Sequence, residues 1–304
     1  MKTAFLFTGQ GSQFVGMGHA LAEQYPAARE TFAEADEALG ESVSSLCFEG
    51  PEEQLGLTTN TQPATLAVSI AAYRALGSTP DLAAGHSLGE YSALTAAGTF
   101  AFADALRLVR QRAEFMQDAV PVGDGGMVVL RKLSLEEARG VCAEVDAGVC
   151  EIANLNAPGQ IVLAGETAAM DQVVEKLGRK AMRLAVSVPF HSSMLRPAAA
   201  RFAEVLGGVE MRDPAFPIYC NVDAAPVTSA ADARAALERQ FAGSVLWQTS
   251  IERMIQDAGV GRFVELGPKP TLSRMVANIA RGIEVEGLES VAVTTPDELQ
   301  AVSG

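Results

Sequence analysis

The sequence is short of positive charge and of long apolar runs. Lysine and arginine number 23 against 37 aspartates and glutamates, which gives a formal net charge of −14. Nucleic acids and anionic membrane surfaces bind proteins through clustered cations, so we expect neither as a partner. No segment approaches the roughly 20 apolar residues of a membrane span. The apolar run at the N-terminus stops at Gly9, short of the about 7–15 residues that a signal peptide needs.

Histidine and cysteine are scarce as well. The chain has three histidines and four cysteines, and no two cysteines form a CxxC pair, so no zinc site is predicted. The spacing of Cys47, Cys142, Cys150 and Cys220 is typical of reduced, packed thiols, and we expect a cytoplasmic protein. Hydrophobic residues make up 48% of the chain, enough for a substantial core.

Strand-like and helical segments alternate along most of the chain, which favours an α/β fold with a parallel sheet. Apolar runs at Thr3–Phe7, Leu82–Ala84 and Gly261–Leu266 predict strands, and the periodicity of Asp104–Ala119 predicts a helix. Residues 1–122 and 188–304 are expected to form one large, α/β-hydrolase-like domain.

Residues 123–187 are expected to form a small inserted subdomain. A hinge-like segment, Pro121–Gly126, precedes it, and Ser134 with Glu137 forms a capping box at the start of a helix. The predicted order is β-α-β-β-α-β, the ferredoxin-like pattern, with its elements at Met127–Arg131, Ser134–Val145, Val149–Asn154, Gln160–Ala164, Thr167–Gly178 and Ala181–Ser187.

The sharpest local motif is Gly85-His86-Ser87-Leu88-Gly89, which lies between a predicted strand and a predicted helix. This is the G-x-S-x-G pattern of a nucleophile elbow, in which flanking glycines permit a tight turn and the serine hydroxyl projects from it. The alternative is a chance match in a chain with 28 glycines. The strand-to-helix context favours the elbow, with Ser87 as nucleophile.

A serine nucleophile needs a base, and His191 is the best candidate. His86 is adjacent to Ser87 in the turn and His19 lies near the opening helix, whereas His191 follows the end of a predicted strand. Either a distant carboxylate or a backbone carbonyl would orient the imidazole.

Two further features are candidates for binding negative charge near the serine. Arg112 falls in the apolar stripe of the helix Asp104–Ala119, where a guanidinium is costly unless it meets an anion. That anion is either an internal carboxylate or the carboxylate of a substrate. The turn Gly9–Gln13 follows the first strand and is suited to supply a backbone N–H to an oxyanion.

Together these motifs resemble the malonyl-CoA:acyl carrier protein transacylase family, which includes free-standing acyltransferases of polyketide synthases. The resemblance covers roughly residues 3 to 280. It rests on seven ordered motifs: GQGSQ (9–13), NTQPA (60–64), GHSLGE (85–90), RAEFMQ (112–117), ANLNAPGQ (153–160), PFHS (189–192) and ELGP (265–268).

The resemblance implies a two-step transfer through a seryl ester. Ser87 would take a malonyl group from coenzyme A and pass it to the phosphopantetheine thiol of an acyl carrier protein, with His191 as base and acid. The backbone N–H groups of Gln10 and Leu88 would form the oxyanion hole, and the carbonyl of Leu246 would hold the histidine. No cofactor or metal is implied beyond the coenzyme A thioester.

The resemblance also implies which residues bind the substrate. Arg112 would bind the malonyl carboxylate, and Phe190 and Asn156 would line the acyl site, the ring of Phe190 disfavouring a methyl branch on the acyl group. A serine esterase, or a proofreading hydrolase of the same family, is the alternative function.

The carrier partner is expected to bind a cationic patch on the small subdomain. Carrier proteins are generally acidic, as this chain is, so docking requires local positive charge. The densest cluster, here named the subdomain patch, is Lys176, Arg179, Lys180 and Arg183. The alternative is an ordinary solvated helix end.

Overall fold

The computed structural model of the protein describes residues 1–186 and 188–303. Its strands are β1 (Lys2–Phe7), β2 (Leu82–Gly85), β3 (Gly125–Arg131), β4 (Cys150–Ala157), β5 (Gln160–Glu166), β6 (Ala181–Arg183), β7 (Ile218–Tyr219), β8 (Pro226–Val227), β9 (Val260–Leu266) and β10 (Glu289–Val293). Its α-helices are α1 (His19–Gln24), α2 (Pro26–Leu39), α3 (Val43–Glu49), α4 (Glu52–Leu55), α5 (Thr58–Leu76), α6 (Leu88–Ala96), α7 (Phe102–Gln117), α8 (Leu135–Glu144), α9 (Thr167–Leu177), α10 (Arg196–Gly207), α11 (Ala230–Gln240), α12 (Trp247–Gln256), α13 (Leu272–Gly282) and α14 (Pro296–Ser303).

The large sheet has the strand order β10-β9-β1-β2-β7-β8. All neighbouring strands are parallel except β7 and β8. Phe7 at the end of β1 is in register with Gly85 of β2 and with Leu266 of β9. The carboxyl ends of the central strands therefore meet at one edge, where α/β proteins place their sites.

Helices cover both faces of this sheet, which explains why its central strands are continuously apolar. Alternate residues of β1 face opposite cores: Phe5 and Phe7 pack into one cluster, and Ala4 and Leu6 into the other. Helix α5 runs through the first cluster and is buried along most of its length. Helix α7 spans Phe102–Gln117, close to the predicted helix, and its buried face includes Arg112.

The small sheet is antiparallel, with the strand order β4-β5-β3-β6. Helices α8 and α9 pack on one face, so the predicted succession of strands and helices in this segment is confirmed. The predicted capping box is present, since Ser134 Oγ accepts from Glu137 N–H and the Glu137 carboxylate accepts from Ser134 N–H. Strand β6 ends at Arg183; Ser187, the predicted end of this strand, lies outside the described residues.

The edge strand β4 of the small sheet pairs with the segment between α11 and α12 of the large domain. Asn154 forms a parallel bridge with Val245, in which Leu155 N–H donates to Val245 O at 2.9 Å and Val245 N–H donates to Ala153 O at 2.8 Å. This contact holds the segment between α11 and α12 beside the carboxyl edge of the large sheet. None of the helices within residues 1–186 and 188–303 combines the length and apolar character needed to span a bilayer.

Candidate active site

The G-x-S-x-G segment folds as the tight turn that its glycines predict. Ser87 has φ 52° and ψ −104°, a strained backbone conformation for a residue with a side chain. A Cβ atom on Gly85 would collide with the carbonyl of Gly89, and one on Gly89 would collide with the carbonyl of Phe7. Glycine is therefore required on both sides of the serine, between β2 and α6.

Ser87 and His191 meet at this edge of the sheet. Ser87 Oγ lies 2.7 Å from His191 Nε2, although the two residues are 104 positions apart. His191 Nδ1 lies 3.1 Å from the carbonyl oxygen of Gln240 and 3.1 Å from that of Gly243. Carbonyl oxygens only accept hydrogen bonds, so Nδ1 carries the proton and Nε2 is free to accept from the serine hydroxyl.

The predicted orienting carbonyl, that of Leu246, is wrong. Leu246 is the N-cap of α12, and its carbonyl accepts from the backbone N–H of Ser250 at 2.9 Å and from Ser250 Oγ at 3.0 Å. A carbonyl in the first turn of a helix points along the helix axis, away from the imidazole. The expectation of a backbone orienter holds, but carbonyls earlier in the segment provide it.

The environment of His191 keeps its imidazole neutral. The side chain is 4% exposed, and burial, followed by the positive charge of Arg112, lowers its pKa to about 3. A neutral imidazole with a free Nε2 is the form that accepts a proton from a hydroxyl.

Arg112 is a buried cation held by neutral groups. It is 1% exposed; its guanidinium donates to Gln62 Oε1 at 2.8 Å, to Gln240 Oε1 at 3.0 Å and to Ser87 Oγ at 3.2 Å. Within residues 1–186 and 188–303 it forms no ion pair with a carboxylate. The internal pairing considered for Arg112 is thus not observed, and burial lowers its pKa. A buried guanidinium that contacts no carboxylate and lies beside Ser87 is suited to bind an anion.

A network of hydrogen-bonded polar side chains holds the backbone around Ser87. Asn221 Oδ1 accepts from Ser87 N–H at 2.7 Å, and its Nδ2 donates to Gly85 O at 2.8 Å. Gln240 Nε2 donates to Ser87 O at 2.8 Å and to Glu90 Oε2 at 3.0 Å. Glu90 also accepts from Asn221 N–H at 2.9 Å, and burial raises the pKa of Glu90 to about 7. The network fixes the backbone on both sides of the serine.

Sequence reasoning did not identify Gln62, Glu90, Asn221 or Gln240. Gln62 and Glu90 lie inside motifs quoted above, but nothing besides their place in those motifs indicated a role for either side chain. Gln240 carried the same signal as Arg112, a polar residue on the buried face of a helix, here continuing the row Ala233, Ala236 and Leu237. Asn221 had no such signal, because it follows a two-residue strand.

Of the two predicted oxyanion donors, one lies in the elbow and the other in the turn that packs against it. Leu88 is the first residue of α6, so its N–H has no partner one turn earlier. The turn after β1 packs against the elbow, since a Cβ on Gly9 would meet the carbonyl of His86, and His86 N–H donates to Phe7 O at 3.0 Å. This packing brings the turn that contains Gln10 against the elbow that contains Ser87. Among the described residues, neither Gln10 N–H nor Leu88 N–H donates to a backbone carbonyl.

Asn156, predicted to bind substrate, lies in contact with the elbow. It is buried, and its Oδ1 lies 2.8 Å from His86 Nε2. The ring of His86 packs on Trp247 with 5.5 Å between centroids, which accounts for the packing role expected of this histidine. Phe190 is partly buried and packs against the face of the small sheet that is not covered by α8 and α9, immediately before His191.

The chain is similar in sequence and fold to proteins of a known family. The family model described as "Acyl transferase domain" matches residues 4–300. The malonyl CoA-acyl carrier protein transacylase of Bacillus subtilis is 44% identical, over 98% of this chain and 95% of that protein. The crystal structure of an acyl-carrier-protein S-malonyltransferase from Burkholderia pseudomallei is 43% identical, with a TM-score of 0.94 over 100% of this chain and 99% of that one. A malonyl-transacylase solved in complex with its type II polyketide-synthase acyl-carrier protein is 40% identical, with a TM-score of 0.93 over 99% of this chain and 97% of that one. The chain therefore belongs to the acyl transferase family that includes the malonyl-CoA:acyl carrier protein transacylases.

Proposed function

We propose that the protein transfers a malonyl group from coenzyme A to the phosphopantetheine thiol of an acyl carrier protein, through an ester on Ser87. The observation that carries the proposal is the buried guanidinium of Arg112, held by neutral acceptors 3.2 Å from Ser87 Oγ. An acyl group with a free carboxylate supplies the missing counter-ion and is positioned against the nucleophile at the same time. The names of the relatives, which are malonyl transferases, support the same substrate.

In the first half-reaction, His191 Nε2 accepts the proton of Ser87 Oγ as the oxygen attacks the thioester carbonyl. The resulting tetrahedral oxyanion is stabilised by the backbone N–H groups of Gln10 and Leu88. The carbon–sulfur bond then breaks, and the imidazolium returns its proton to the departing thiolate of coenzyme A. The malonyl ester on Ser87 and free coenzyme A are the products.

In the second half-reaction, the same groups act in the reverse order. The thiol of the carrier's phosphopantetheine gives its proton to His191 and attacks the seryl ester. Collapse of the second tetrahedral intermediate breaks the bond to Ser87 Oγ, which recovers its proton from His191. A single base therefore serves both steps, and the enzyme returns to its starting state. No resident cofactor takes part.

Arg112 couples substrate binding to the strength of the base. Its positive charge is one of the causes that lower the pKa of His191. A malonyl carboxylate bound to Arg112 cancels this repulsion, so the imidazole becomes more basic when a correct acyl group is present. Binding energy from the remote carboxylate is thus used at the reacting centre.

The proposal extends to the fold and to the docking of the carrier. The strand order β4-β5-β3-β6 supports a ferredoxin-like subdomain inserted into an α/β-hydrolase-like domain, with the boundaries predicted above.

In the subdomain patch, Lys176 and Arg183 form ion pairs with carboxylates of the same subdomain. Arg179 and Lys180 form none within residues 1–186 and 188–303, so they are the cations available to an acidic carrier.

The four free cysteines fit a reducing, cytoplasmic location.

The first experiment is malonyl loading followed by chase. Incubation with malonyl-CoA should add one malonyl group, which peptide mapping locates at Ser87, and a holo carrier protein should then remove it as malonyl carrier. Ser87→Ala should abolish the adduct. Ser92→Ala is a matched control on the same helix, because Ser92 Oγ is buried without a hydrogen-bond partner in the described structure.

Two results would contradict the proposal. Persistent labelling of the Ser87→Ala variant would show that Ser87 is not the nucleophile. Release of free malonate from the labelled enzyme, with no malonyl carrier formed, would show a hydrolase instead of a transferase.

A further inference from the structure

Two cysteines of the small subdomain lie in contact on the helix-covered face of the small sheet, whereas Phe190 packs on the other face. Cys142 is in the last turns of α8, and Cys150 is the first residue of β4. The Cys150 thiol donates to Cys142 Sγ across 3.3 Å. Both cysteines are free and partly exposed. None of the contacts of Ser87, His191 or Arg112 involves them, so their proximity is independent of the proposed function.

The chain between the two cysteines is held in place. The side-chain oxygen of Gln172, on α9, accepts from the backbone N–H groups of Asp146 and Ala147 at 3.2 and 3.3 Å, and its Nε2 donates to the Asp146 carboxylate at 2.8 Å. The turn that brings the end of α8 back to the start of β4 is thereby fixed. The two sulfurs remain neighbours because their backbones are fixed, and this lowers the entropic cost of joining them.

The two thiols are also chemically unequal. The S–H donated by Cys150 lowers the pKa of Cys142, and the same shared proton raises the pKa of Cys150. These directions favour Cys142 as the thiolate, and the 3.3 Å contact places Cys150 within reach of it. The remaining cysteines differ: burial raises the pKa of Cys47 to about 12 and that of Cys220 to about 11. Buried thiols of that kind are inert.

We propose that Cys142 and Cys150 are a redox-active pair that a peroxide converts into a disulfide within the chain. The Cys142 thiolate attacks one oxygen of hydrogen peroxide, the O–O bond breaks, and the departing hydroxide takes up a proton as water. Cys142 is then a sulfenic acid, oxidised by two electrons. The Cys150 thiol attacks this sulfur, a second water leaves, and the disulfide forms. Overall, two thiols and one peroxide give one disulfide and two waters.

The geometry accommodates the product. The sulfurs must close from 3.3 Å to the roughly 2.05 Å of a disulfide, a short movement for which rotation of the two side chains is sufficient. The bond would tie the end of α8 to the edge strand β4, the strand that joins the small sheet to the large domain through Val245.

The test uses the folded protein and hydrogen peroxide at near-stoichiometric amounts. After quenching with an alkylating agent and denaturation, titratable thiols should fall from four to two, and non-reducing peptide mapping should join the Cys142 and Cys150 peptides. Dithiothreitol should restore four thiols. Cys150→Ser should stop at a Cys142 sulfenic acid, trapped by dimedone, whereas Cys142→Ser should react little at either position. Cys47→Ser and Cys220→Ser are the matched controls and should form the same link.

Three results would overturn the proposal: four thiols remaining after treatment, a link that involves Cys47 or Cys220, or a link between two chains. A thermal melt of each variant before oxidation establishes that it is folded. A Gln172→Ala variant adds a second measurement that leaves both cysteines in place. It should slow disulfide formation several-fold while leaving the total thiol count unchanged, and an unchanged rate would contradict the role given to the fixed turn.

Discussion

Arg112→Ala is the substitution whose outcome the structure specifies most fully. In the proposed complex the guanidinium forms a buried, charge-assisted pair with the malonyl carboxylate. Removing one partner of such a pair costs about 3 kcal/mol, which corresponds to a loss of about 150-fold in kcat/KM. The carboxylate of malonyl-CoA would enter a buried site with only neutral amides to meet it.

An acetyl group should lose much less. Acetyl-CoA has no carboxylate, so it loses only the neighbouring hydrogen bond from Arg112 to Ser87 Oγ at 3.2 Å. One such bond is worth about 1 kcal/mol, or roughly fivefold in rate. The ratio of kcat/KM for malonyl-CoA over acetyl-CoA should therefore fall by about 30-fold, the quotient of the two losses.

The assay measures both thioesters with wild type, Arg112→Ala and a control on the same helix. Arg107→Ala is that control, because Arg107 is exposed and pairs with Asp104 on the outer face of α7; it should retain wild-type rates and selectivity. A thermal melt checks that each variant is folded. If malonyl and acetyl transfer fall by the same factor in Arg112→Ala, the arginine is structural and the counter-ion argument is refuted.

Three further predictions concern protonation and docking. Burial lowers the pKa of His191 to about 3, so kcat/KM for malonyl-CoA should show no acidic limb at the ordinary histidine value of about 6.5; a limb there would contradict the neutral-base mechanism. Burial raises the pKa of Glu90 from 4.5 to about 7, so native stability should fall as pH rises between these values, by about 3 kcal/mol in all. Glu90→Gln keeps an acceptor oxygen, so urea titrations at pH 5 and 8 should show that its free energy of unfolding no longer falls with pH. An equal fall in wild type and variant would refute the prediction. Reversing the charges of Arg179 and Lys180 should raise KM for the carrier at low salt while self-malonylation stays intact, and unchanged carrier kinetics would place docking elsewhere.

Local sequence was enough to predict the elements whose geometry depends on neighbouring residues. The elbow at Ser87 follows from glycines two positions to either side, because only they fit the backbone carbonyls that close in on the turn. The capping box at Ser134 and Glu137 acts across three residues. Arg112 was marked by its position in an apolar helical stripe, since periodicity shows which face is buried.

Contacts between distant segments could not be predicted in this way. The sequence left a carboxylate and a backbone carbonyl open as partners of His191, and the family resemblance implied the carbonyl of Leu246, whereas the carbonyls of Gln240 and Gly243 hold it. Which carbonyl points at the imidazole depends on where α11 ends and α12 begins relative to the large sheet. The contact of Asn156 with His86, which joins two distant segments, was likewise not predicted.

Composition and local pattern thus predicted an α/β protein with a serine nucleophile, a histidine base and an arginine on a buried helix face, and the structure confirms the α/β fold and the burial of Arg112. Tertiary structure alone decided that Arg112 has neutral partners among the described residues and that Cys142 touches Cys150. The physical reason is the same in both cases. A residue's burial is encoded by the periodicity of its own helix or strand, but its partners come from other elements, whose relative placement depends on the packing of the whole core.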